Sequence, residues 1–188
     1  MARVAFPENR VTSTRVASTV GVVHTAAALA ILRILASYSW LNSTFYGKDA
    51  KFAPDFLSGK GLTMRINEPQ MGFVHTVLMP WVATFLTGIV IPHATIFAWL
   101  LALGGFGVGL SLLFGLFARL GGAGAIFLAV VNILVAAGGK NATDIFGHNY
   151  LLVLAGLVVI IAAAGRSYGL DRLLIARFPT SRLLRVIS

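Results

Sequence analysis

The chain has 188 residues, 57% of them hydrophobic and only 11% charged, with a mean hydropathy of +0.86; soluble domains run nearer 25% charged. There is no cysteine, which excludes disulfides, thiolate zinc sites, cysteine-ligated clusters, covalent c-type haem and cysteine nucleophiles. The formal charge of +9 raises nucleic-acid binding, but apolar runs close to the ~20 residues that cross a bilayer turn most of that charge into a topology signal.

The first apolar segment covers about 16–41. Its length, with His24 and Arg33 inside it and no small-residue cleavage site after it, reads as a retained span rather than a signal peptide. Tyr38, Trp40, Phe45 and Tyr46 at its far end suit an interfacial aromatic belt. A polar connection follows over 42–70, rich enough in glycine and proline to predict turns and short elements. The segment 71–93 is apolar but interrupted by Pro80 and Pro92, and runs almost directly into Thr95–Phe117. Two full spans cannot join there without a loop, so 71–93 reads as a re-entrant or interfacial helical element. Two more spans are expected at about 121–138 and 149–165, followed by a basic tail over 166–188.

The expected architecture is all-α: one membrane domain, a four-helix bundle with an extra element before the second span. With both termini cytoplasmic, the inner side carries nine arginines against Glu8 and Asp171, and the outer side five cations against four acids. That asymmetry obeys the positive-inside rule. The tail pairs arginine with Leu, Ile and Phe, as an amphipathic helix lying on anionic lipid does, so nucleic acid is not the expected partner.

Within the second span, Gly105 and Gly109 make a GxxxG step. Gly107, Ser111 and Gly115 make a second small-residue row roughly opposite. Small faces of this kind let neighbouring membrane helices approach closely.

Three stretches carry a resemblance: "GHNYLLVLAGLVVIIAAAGRSYGLDRLL", "VIPHATIFAWLLALGGFGVGLSLLFGLFARLGG" and "LRILASYSWLNSTFYGKDAKF". Together they resemble the DoxX/DoxD-like membrane proteins. The resemblance implies four membrane helices and, through the DoxD branch, a link to thiosulfate:quinone oxidoreductase and to a terminal quinol oxidase. It also marks a departure. Relatives often carry a glutamate just before "GLSLLFG", where this chain has Gly105.

Arg33 is the most informative single residue, expected in the outer half of the first span. Intramembrane charges are costly and functional by default. One reading makes it an ion pair or carbonyl clamp holding the bundle together; the other makes it the cation facing a quinone carbonyl or an oxyanion. His93 is the second candidate for such a contact. Lys48, Lys51, Lys60, Arg65 and Lys140 form an outer group able to gather an anion, although Asp49, Asp55 and Glu68 balance it. Asp171 pairs with Arg166, Arg172 or Arg119 in a structural reading of "GRSYGLD". His24, His75, His93 and His148 offer no metal-ligand spacing, so no metal is expected.

The implied function is a subunit of a quinone-linked oxidoreductase, with thiosulfate the candidate donor, quinone the candidate substrate and no covalently bound cofactor. The alternative is a non-catalytic accessory subunit of a respiratory complex such as a terminal oxidase. Either requires lipid and a partner membrane subunit.

Overall fold

A computed structural model describes residues 10–46, 50–68, 72–136, 142–166 and 168–188, with side chains from residue 24 onward and excepting 136, 142–146, 183 and 185. Every regular element among the described residues is helical. Helix α1 (Arg10–Phe45) is the longest, followed by two short helices, α2 (Pro54–Leu57) and α3 (Lys60–Asn67). Then come α4 (Phe73–Thr76) and α5 (Pro80–Phe85), which continues as a π-helical turn over Leu86–Val90. Helices α6 (Ala94–Phe114), α7 (Ala118–Ala136) and α8 (Ala142–Ile161) form the long apolar part. A 3₁₀ turn (Ala164–Arg166), α9 (Leu170–Arg177) and α10 (Arg182–Ile187) close the chain.

Ala94–Phe114 and Ala118–Val135 are long and apolar enough to cross a membrane, while Pro80–Val90 and Gly147–Ile161 are shorter apolar helical stretches. Pro80 occupies the first turn of α5, where its missing N–H costs nothing. Pro92 sits in the turn before α6. The two prolines thus bracket one short helical element, at the breaks expected from sequence.

Helices α1, α6, α7 and α8 pack on one another around Trp40, Leu112, Ala118, Ala129 and Val159. The α7–α8 crossing is close because Gly122 and Gly156 face each other's backbone: a β-carbon on either would meet the other's carbonyl oxygen at 3.0 or 2.9 Å. Gly109 lies against Leu41 of α1, so close that a β-carbon there would sit 2.7 Å from its Cδ2. A smooth helix surface gains van der Waals contact in this way without needing a hydrophobic driving force.

The segment after α1 does not stand off as a solvated loop. Phe52 N–H donates to Thr44 O (3.1 Å), which turns the chain back against the end of α1. Phe56, Leu62 and Ile66 then pack with Val82, Leu86, Val90 and Ala98 in a second core along the first half of α6. Leu62 and Ile66 are spaced i, i+4 and so share a face of α3. Thr95 Oγ1 donates to Ser58 O (3.0 Å), fixing α2 beside the start of α6. Thr76 Oγ1 donates to Val135 O (3.1 Å) and Leu78 N–H to Leu134 O (3.0 Å), which tie α4 to the end of α7.

Candidate functional site

Arg33, Ser37, Trp40 and Thr44 follow one another at the i, i+4, i+7, i+11 spacing of a single helix face. All four are buried, at 2%, 1%, 5% and 0% exposure. The hydroxyls are satisfied within α1: Ser37 donates to Ile34 O (2.7 Å) and Thr44 to Trp40 O (2.7 Å). The aromatic belt expected at the end of α1 therefore divides. Tyr38 and Tyr46 are exposed, whereas Trp40 faces the interior.

Arg33 lies at the end of the helical core where α6 turns into α7 and α8 ends. Its Nη1 donates to Ala164 O (3.0 Å) and its Nη2 to Tyr168 O (3.3 Å). Asp171 stands close enough for the two charges to attract. Asp171 itself is fully buried and accepts from Phe117 N–H (2.7 Å) and Ala118 N–H (2.9 Å). A carboxylate there serves both the unpaired donors and the positive dipole end of α7. Gly115 caps α6 in the left-handed region (φ +61), and a β-carbon on it would strike Arg33 Nη1. Phe117, Ala163 and Tyr168 also have positive φ (50, 46 and 55). Left-handed geometry costs a non-glycine residue roughly 1–2 kcal/mol, so the surrounding bonds must hold these three in place. Arg33, Asp171 and the chain ends they bind form a basal knot.

A second cation meets the same helix face further along. Lys51 Nζ lies 5.5 Å from the centroid of the Trp40 ring. A β-carbon on Gly105 would sit 3.5 Å from that nitrogen and 3.3 Å from Thr44 Oγ1. Burial pulls the Lys51 ammonium below the ordinary lysine value of 10.5, and the positive charge of Arg65 pulls it the same way. Among the described residues no carboxylate pairs with Lys51. The indole Nε1 of Trp40 is buried without a hydrogen-bond partner among them. Phe45 and Phe52 stack beside this spot (5.4 Å, 12°), with Phe106 edge-on to both at 5.6 and 5.8 Å.

The other sequence candidates are dispersed. His93 is the N-cap residue of α6, exposed, with Nδ1 3.0 Å from Ile89 O. It sits at the opposite end of α6 from Gly115 and Arg33, about 33 Å away along the helix, so Arg33 and His93 cannot address one small molecule. Lys60 begins α3 and is exposed, and Arg65 lies over the Phe56 ring at 5.3 Å. Lys48 and Lys140 fall outside the described residues, so the five outer cations are not seen together. Gly105 and Gly109 both face α1. The row opposite does not form one surface: Gly107 faces open space, Ser111 packs on Gly121 and donates to Leu116 O (2.7 Å), and Gly115 meets Arg33. No group of three His, Asp or Glu that could hold a metal occurs among the described residues.

The family comparison covers α4 to α10 and the Asp171 side of the knot. Residues 70–187 match the family model described as "TQO small subunit DoxD". The chain belongs to the DoxD family. The match takes in α6–α9 with Gly105, Gly115 and Asp171, while α1, with Arg33 and Trp40, lies before it, as does Lys51. No curated protein and no solved structure gives a significant match to the chain.

Ser37, Thr44, Thr76 and Asn149 are buried polar residues that sequence reading passed over, and Trp40, read as interfacial, is buried with them. Asn132 Nδ2 donates to Asn149 Oδ1 (3.2 Å) between α7 and α8. The signal for Trp40 was present in the shared spacing of Arg33, Ser37, Trp40 and Thr44. Polar residues recurring on one face of an apolar helix mark the side turned away from lipid.

Proposed function

We propose that this DoxD-family chain is the membrane-embedded small subunit of a thiosulfate:quinone oxidoreductase. The observation that carries this reading is the family match over residues 70–187. In it α1, α6, α7 and α8 each cross the bilayer as a four-helix bundle, and α5 with its π turn is the re-entrant or interfacial element. Both termini are cytoplasmic, because Arg119, Arg166, Arg172 and Arg177 gather at the knot end of the helices. Lys60 and Arg65, with Lys48 and Lys140, provide the outer positive field that draws in an anionic sulfur donor. A chain without cysteine offers no thiolate for a cluster, and we assign the electron-carrying group to a partner subunit. Arg33 acts as a carbonyl clamp rather than as a substrate contact.

The test is thiosulfate-dependent reduction of a short-chain quinone by the purified protein, alone and recombined with its partner. Turnover by the recombined pair supports the reading, and failure of both preparations overturns it.

A second reading, an accessory subunit of a respiratory complex, draws on one observation. Gly107 faces outward with nothing within 4 Å of a β-carbon there, on a helix whose Leu100, Leu103 and Phe114 are also exposed. Such a smooth strip fits a helix of another chain. Copurification with an oxidase that is lost in Gly107→Leu would favour it.

A further inference from the structure

We infer that Lys51, Trp40 and the phenylalanines beside them form a binding site for a quinone headgroup at mid-depth in the helical core. That the occupant is a quinone rather than another apolar carbonyl compound rests on the quinone-linked reading above; the existence of the pocket does not.

The same three backbone segments meet twice at this place. Thr44, Lys51 and Gly105 converge on one point, and their chain neighbours Phe45, Phe52 and Phe106 converge on the next. The first group supplies the Lys51 donor, Thr44 being already bonded to Trp40 O, and the second supplies aromatic walls. Phe45 is 49% exposed, so the aromatic group opens toward the surface of the helical core while Trp40 closes the inner side.

Among the described residues the donors lack acceptors. A buried indole N–H is costly to leave without a partner, and a half-buried ammonium with no carboxylate beside it among the described residues adds to that cost. Both at one spot, in a residue 5% exposed and in the half-buried lysine over its ring, point to an acceptor that the described residues do not provide. Gly105 lies about midway along α6, some 15 Å from either end of the helix. At that depth a hydrated inorganic anion would have to shed its water in apolar surroundings, which is expensive. A flat, lipid-soluble ring with carbonyl oxygens incurs no such cost. Its face meets the phenylalanines, and its oxygens accept from Lys51 Nζ or from the Trp40 indole at the ring edge.

Gly105 is the specificity-determining position. Any side chain there would begin 3.5 Å from Lys51 Nζ. A carboxylate would neutralise the ammonium and occupy the oxygen's place, and an apolar group would fill the space outright. The absence of a side chain keeps the Lys51 ammonium available to a ligand.

The site is tested with a photoreactive azidoquinone bearing a short isoprenoid tail, applied to the full chain purified in mild detergent. Mapping of the labelled peptides should place the adduct between Trp40 and Phe52 or at Phe106. Labelling should fall by about tenfold or more in Gly105→Glu and in Lys51→Met, the scale set by losing a charged hydrogen bond. If Gly105→Glu is not monodisperse, Lys51→Met alone decides. Excess thiosulfate or sulfate should leave the label in place. Adducts confined to the Arg33 or His93 ends, labelling undiminished in the variants, or displacement by a small oxyanion would each overturn the site. Thiosulfate turnover with the label elsewhere would sink the pocket and spare the enzyme assignment. Labelling at Phe52 without turnover would do the reverse.

Discussion

Arg33 and Lys51 are two cations brought to one face of α1, and they have opposite fates. Both Arg33 Nη atoms are met by the chain: two carbonyl oxygens, a buried carboxylate nearby, and glycines that let the backbone close over the guanidinium, whose Nε alone is left without a partner among the described residues. Lys51 is half-buried, and what faces it among the described residues is an indole, a hydroxyl already bonded elsewhere and a glycine. The contrast teaches that a charge inside a helical core is not in itself a functional mark. What decides is whether the chain supplies its counterpart. Where it does, as at the basal knot, the charge holds the fold together; where it does not, an outside group is implied.

Substitutions can break this contrast. The largest loss is expected from Asp171→Ala, which removes the acceptor for two amide donors and leaves Arg33 opposed only by carbonyls. Breaking a buried pair costs about 3–5 kcal/mol, read as a fall in thermal midpoint in detergent. Arg33→Met should cost about 3 kcal/mol for the same reason, with Asp171 retaining its bonds to Phe117 and Ala118. An unchanged midpoint in either variant would dissolve the distinction between the two cations. Gly115→Ala follows, at about 1–2 kcal/mol for the left-handed backbone alone, increased by the collision with Arg33.

The smallest effect on stability is expected from Lys51→Met. It removes an uncompensated charge and should be neutral or stabilising within about 1 kcal/mol, even while azidoquinone labelling collapses. Because the folded-state pKa of Lys51 lies below 10.5, the unfolded chain binds more protons in the window between the two values. Stability should therefore rise with pH across that window, and Lys51→Met should flatten the rise. Ligand binding should move the other way, weakening as the ammonium loses its proton.

Much of the helical plan was legible because apolar runs and proline breaks act locally. Pro80 and Pro92 delimit one short element, whereas the turn between α6 and α7, expected at "ARLGG", falls at 115–117 and "ARLGG" opens α7. The course of 50–67 was not legible. Its charge suggested a loop in water, whereas Phe56, Leu62 and Ile66 pack with Val82, Leu86, Val90 and Ala98, a match visible only when both surfaces are known. Lys51 was recognisable as a cation and not as a buried one, since its burial depends on Gly105 far along the chain. For Arg33 the sequence left clamp and substrate contact open. Its carbonyl partners Ala164 and Tyr168 lie more than a hundred residues away, so position within the apolar run did not report them. Asp171 was placed in a structural role, but its bonds run to amide donors of the α6–α7 turn.

The basal knot also imposes an order of assembly. Arg33 emerges early in synthesis, whereas Ala164, Tyr168 and Asp171 emerge more than a hundred residues later. Until they arrive, the guanidinium on α1 has none of its carbonyl partners and the amide donors at the start of α7 have no carboxylate. The first helix is therefore fastened last, in the same step that caps α7.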